Sequence, residues 1–111
     1  MGGGYSETSL GPGVYRVAYE ANGATSANRV NDYLILRCAR LTLEKGYQYF
    51  SFLGDDQSYD NGGIKYLSTV IRMYHDAARG RGLSMLNAKV VANQIESGYK
   101  LKGLASQRLL R

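Results

Sequence analysis

The chain has almost none of the residues on which small-protein chemistry usually depends. It contains one cysteine, Cys38, one histidine, His75, one proline, Pro12, and no tryptophan. A lone cysteine excludes an intramolecular disulfide. One cysteine and one histidine do not make a Cys/His zinc set. No stretch approaches the roughly 18 consecutive apolar residues that span a bilayer. No apolar run of the kind a secretory signal carries follows Met1. "GPG" and "GRG" stand without the rest of any phosphate-loop fingerprint. No cofactor and no metal are expected.

What is present suits one small folded unit. The 111 residues fit a single domain, and 44% hydrophobic content is enough for a core. Charge is uneven. Residues 1–63 carry five Lys/Arg against seven Asp/Glu, and residues 64–111 carry nine against two. A basic second half points to solubility first and to an anionic neighbour second.

Along the chain, residues 1–4 read as a flexible glycine tether, although Met1, Gly2 and Ser6 also fit the short myristoylation pattern. Residues 5–98 read as a single α+β domain and 99–111 as a basic tail. "YSETSL" and "VYRVAYE" flank Pro12-Gly13, a dipeptide suited to the centre of a type II turn, so a hairpin is expected. Ser26 is placed to cap a helix that ends near Lys45, with Gly46 just beyond. Ala27, Val30, Leu34, Cys38 and Leu41 form its core stripe, and Leu36, Ala39 and Leu43 widen it.

"YQYFSFL" reads as a central strand and "GDDQSYDNGG" as a polar loop. "IKYLSTVIRMYH" is a long strand, with Leu67, Ile71 and Met73 on one face and Tyr66, Val70 and Tyr74 on the other. After a loop, Asn87 caps a second helix, with Leu86 and Val91 as a hydrophobic staple. The fold expected is β-β-α-β-β-α: a mainly antiparallel sheet with both helices on one face.

Each site candidate has a plain structural alternative. Cys38 sits mid-stripe, which favours a buried structural thiol over a nucleophile. His75 precedes Asp76, but neighbours on a strand point to opposite faces. Asp56, Ser58 and Asp60 open like a calcium loop, yet Asn61 and Leu67 stand where that loop needs glycine and glutamate. Arg29, Tyr33, Arg37 and Arg40 lie off the core stripe and form a candidate surface-binding face. Their ion pairs are expected to be solvated and weak. Tyr66, Val70 and Tyr74 need cover on the face away from the helices, and a homodimer supplies it. Ten tyrosines among fourteen Lys/Arg also suit stacking on a nucleic acid, which is the alternative function.

Several stretches together resemble a family of small Gram-negative bacterial lipoproteins of unknown function. They are "GGGYSETSL", "YRVAYEANGATSANRVNDYLILRCARLTLEKGYQYF" and "LNAKVVANQI". Tyr5, Ser6, Glu7 and Thr8 match that family's G-Y-S-[DE]-T motif. Arg29, Val30, Tyr33, Leu34, Arg37, Cys38, Ala39, Leu41, Thr42, Leu43, Glu44, Gly46, Tyr47, Tyr49 and Phe50 match its helix-to-strand block. The segment after Gly54 and the basic tail depart from it. The resemblance implies a signal peptide and a lipid-attachment cysteine upstream of Gly2, and an envelope location facing the periplasm. It implies no catalytic residues. The expected protein is a non-enzymatic envelope lipoprotein that binds or self-associates, touching the membrane only through its lipid.

Overall fold

The computed structural model describes residues 3–22, 25–76 and 85–98. The readings of Met1, Gly2, most of the 76–82 loop and the 99–111 tail lie outside the described residues. Among the described residues five antiparallel strands form one sheet: β1 (Gly3–Gly11), β2 (Val14–Asn22), β3 (Tyr49–Asn61), β4 (Ile64–Tyr74) and β5 (Leu86–Asn87). Helix α1 spans Ala27–Glu44, and a second helix, α2, covers 88–98. The strand order β1-β2-β4-β3-β5 puts β2 and β4 in the middle. This is the α+β sheet expected.

Turn chemistry fixes both hairpins. Gly13 has φ +70°, as the third position of a type II turn requires. A Cβ there would also lie 3.3 Å from the Tyr47 hydroxyl and 3.4 Å from the Met73 carbonyl oxygen. At the second hairpin, Asn61 pairs with Ile64 around Gly62 and Gly63, with φ of 62° and 86°. Positive φ at both central residues matches the twist of the flanking strands.

Ser26 caps α1 as expected: its Oγ accepts from the Arg29 N–H at 3.2 Å. Asn87 does the same for α2, accepting from the Val90 N–H at 3.1 Å. Val30, Leu34, Cys38 and Leu41 are buried against the sheet, where Val17, Ile71, Met73 and Phe50 face them. Leu36 and Ala39 are also buried, in the same cluster as Ala88 and Ala92 of α2. The apolar surface of α1 exceeds one face because it meets two neighbours, the sheet and α2, and alanines at the second contact let the helices approach. Each large side chain so buried contributes about 1.5–3 kcal/mol. No described helix is long and apolar enough to cross a membrane.

Three readings need correction. The ladder with β2 begins at Gly3, paired with Ala21, so the glycines at 3 and 4 are strand rather than tether. "YQYFSFL" is central in part: β4 and β5 flank it at Tyr49 and Phe50, and beyond those two residues β4 alone pairs with it among the described residues. The segment 55–61 is not a loop, because β3 continues through it to Asn61, with register shifts between Phe52 and Gly54 and between Gly54 and Gln57.

Those shifts are held from both sides. On the open face, the Arg16 guanidinium pairs with the Asp55 carboxylate and donates to the Asp55 carbonyl at 3.2 Å. On the helix face, Thr69 Oγ1 donates to Asp56 at 2.6 Å. Asp55 takes φ +55°, a conformation aspartate tolerates better than most residues. Of the aspartates that looked like the start of a cation loop, Asp56 is instead held by Thr69 of the neighbouring strand.

Candidate functional site

The most highly organised polar group joins β1 to α1. Glu7 sits opposite Val17 in the β1–β2 ladder and so faces the helices. Arg37, two turns before the end of α1, reaches it through Nε to Oε2 at 3.2 Å and Nη2 to Oε1 at 2.8 Å. The same guanidinium donates to Glu44 through Nη1 at 2.9 Å and Nη2 at 3.2 Å. Glu44 lies seven residues along the helix and therefore on the same face.

Tyrosines wall the group in. The Arg37 guanidinium lies 5.8 Å from the centre of the Tyr5 ring. Tyr5 packs on Tyr19 at 4.7 Å, and Tyr19 meets Tyr33 edge-on at 5.6 Å. Hydrogen bonding to Glu7, outweighing the cost of burial, holds the Arg37 guanidinium firmly in its charged form. Burial, then the neighbouring Tyr5 and Tyr33, push the Tyr19 hydroxyl up.

This is a structural clamp. A guanidinium has five N–H donors in a fixed fork, and carboxylates take both edges of this one. Two carboxylates against one guanidinium leave the cluster net negative, so it does not attract an anion. The solvated, weakly paired Arg37 expected from the sequence is corrected: its side chain is only 19% exposed. Arg40 is exposed and pairs with Glu96 of α2. Arg29 is exposed on the first turn of α1. Eleven residues separate Arg29 from Arg40, about 16 Å along a helix, so the four candidate residues do not converge on one ligand.

The other candidates are placed plainly. Cys38 is fully buried, and burial pushes its thiol up to about 12. His75 stacks on Tyr47 at 4.4 Å. It borders a hollow of about 330 Å³ lined also by Arg72, Tyr74 and Asp76, with no serine or cysteine nucleophile among the residues lining it. No group of three His, Cys, Asp or Glu among the described residues is placed to hold a metal.

Tyr66, Val70 and Tyr74 do share the open face, but Val70 is 6% and Tyr74 8% exposed. Arg16, directly opposite Val70, lies across that face and donates to Ser68 Oγ at 3.1 Å. The Tyr74 hydroxyl meets Ser51 Oγ at 3.2 Å. Of the three candidate interface residues, only Tyr66 keeps appreciable surface, and it is stacked flat on Tyr59 at 4.7 Å.

Compared with family models, with curated proteins and with solved structures, the chain matches none. Sequence reasoning missed the clamp because its members are thirty residues apart. The available signal was Glu7, the only charge in a nine-residue strand.

Proposed function

We propose that this chain is an envelope protein of a Gram-negative bacterium, held to a membrane by a lipid on a cysteine upstream of Gly2. It acts by binding or self-association and not by catalysis. The reading rests on the motif resemblance, and one structural observation carries it further. The residues that bear the resemblance meet, and what they build is a support. Tyr5 and Glu7 of the first motif, and Tyr33, Arg37 and Glu44 of the second, form the β1–α1 clamp. Cys38 of the second motif is core. Shared residues that fix an edge strand to a helix suit a protein whose surface does the work.

The test is expression from the gene with its own upstream residues. Lipid labelling and membrane fractionation should both be positive, and both should vanish when the upstream cysteine is replaced by serine. Recovery of unlipidated protein in the cytoplasmic fraction would overturn the assignment. Salt-sensitive RNA binding by that soluble protein would favour the nucleic-acid reading instead.

A further inference from the structure

The sheet has two outer edges, and the chain treats them differently. Along β3 from Leu53 to Asn61, no described strand covers the outer side. That edge carries Asp55, Asp56 and Asp60, two register shifts and a residue at φ +55°. Charges and bulges are the devices by which proteins keep an edge from pairing with another chain.

Strand β1 has fewer of them: one charge, Glu7, and one irregularity at its far end, between Ser9 and Gly11. Its ladder with β2 is regular from Gly3 to Ser9, and no described strand covers its far side. It holds no proline and no lysine, and its one charge, Glu7, is turned toward the helices and hydrogen-bonded by Arg37. Within the regular stretch Tyr5 is 48% exposed, and Ser6 and Thr8 are exposed as well. Hydrophobic side chains on an unguarded edge are what pairing strands bury.

We propose that β1 is the docking edge for a second copy of this chain, pairing antiparallel about Ser6. The inference deepens the binding role argued above by naming the partner. A twofold axis perpendicular to the sheet keeps the helices of both copies on one side, so facing residues come from the same face of β1. Centring on Ser6 sets Ser6 against Ser6, Tyr5 against the second copy's Glu7, and Gly4 against its Thr8. This register uses the regular stretch Gly3–Ser9 in full and stops before the irregularity between Ser9 and Gly11. It also keeps the two Glu7 carboxylates apart, whereas centring on Glu7 would oppose them. Serine and threonine pairs across strands hydrogen-bond favourably.

The contact is small. Seven residues at about 3.4 Å each make a ladder about 24 Å long and one strand wide. That is well short of the roughly 800 Å² per partner of a standard interface. The dimer is therefore weak in dilute solution. Two copies anchored to one membrane face meet at a much higher effective concentration.

Sedimentation equilibrium on the protein, from about 10 μM to about 1 mM, spans the affinities such an interface allows. The wild type should shift from monomer to dimer across that range. Ser6→Lys and Ser6→Glu each oppose like charges across the axis and should weaken association about five-fold. Mixed in equal parts they should recover it, because the mixed dimer opposes unlike charges, and misfolding would not be rescued by mixing. Wild type at monomer mass throughout would overturn the proposal. So would a dimer that neither variant weakens, or weakened variants that mixing fails to restore. Lipid labelling is independent of all these outcomes, so failure of the edge pairing and failure of the envelope assignment are distinguishable.

Discussion

Arg37→Ala is the substitution that tests whether the clamp holds the fold. The Arg37–Glu7 pair is bidentate, and the two side chains are 19% and 23% exposed. Removing the guanidinium leaves a partly desolvated carboxylate without its partner, which costs about 1–3 kcal/mol. The Glu44 arm, with Glu44 55% exposed, adds only about 0.3–0.5 kcal/mol. The expected loss is therefore about 1.3–3.5 kcal/mol in urea unfolding, with m unchanged, and a Tm lower by about 6–15 °C at this chain length. Arg37→Lys should lose about half as much, because a point charge cannot serve two acceptors in a fixed fork. Glu44→Gln should cost no more than about 0.5 kcal/mol. A double-mutant cycle between Arg37→Ala and Glu7→Ala should show a coupling of about 1–2 kcal/mol. That coupling should persist in about 1 M salt, where exposed pairs are screened. Arg37→Ala within about 0.5 kcal/mol of wild type, or a coupling near zero, would mean that β1 is held by its ladder with β2 alone.

The Cys38 thiol should resist a thiol reagent in the folded protein at pH 8 and react at once after denaturation; rapid native labelling would show that the site opens. Because its folded pKa is raised to about 12, the native state keeps the proton where the unfolded chain has lost it. Its share of stability is therefore full below the unfolded value of about 8.5 and falls as pH climbs from there toward the folded value, and Cys38→Ala should flatten that alkaline decline. Gly63→Ala meets no atom within 4 Å but forces a side chain onto φ +86°, so it should cost about 1–2 kcal/mol from backbone conformation alone, with Gly63→Asn costing less; equal losses for both would point to a packing role.

Local chemistry made the helix and the first hairpin turn legible. Ser26 and Gly46 bracket α1, Pro12-Gly13 marks the first turn, and the alternation from Leu67 to Met73 separates the two faces of β4. Segment 55–61 was illegible for an equally physical reason. Asp, Asn and Gly have poor strand propensity, and what holds them extended is not local. The partners are β4, the Arg16 guanidinium thirty-nine residues away, and Thr69. Strand order was hidden too: no local signal says that β2 and β4 meet in the middle of the sheet.

The clamp shows the same limit. Helical periodicity places Arg37 off the core stripe, and from there solvent is the natural expectation. The sequence does not say that β1 folds over that flank, because the neighbour that buries Arg37 lies thirty residues upstream. Once the neighbour is known, the two halves of the proposed function depend on each other. Glu7 is the one charged residue of β1, and it is the strand carboxylate that Arg37 binds. The bond that ties the edge strand to the helix also holds that charge against the helix. Releasing Glu7 by Arg37→Ala therefore does more than loosen β1. It places a carboxylate without its partner two residues from the mouth of the ladder and beside the second copy's Tyr5, where pairing would have to bury it.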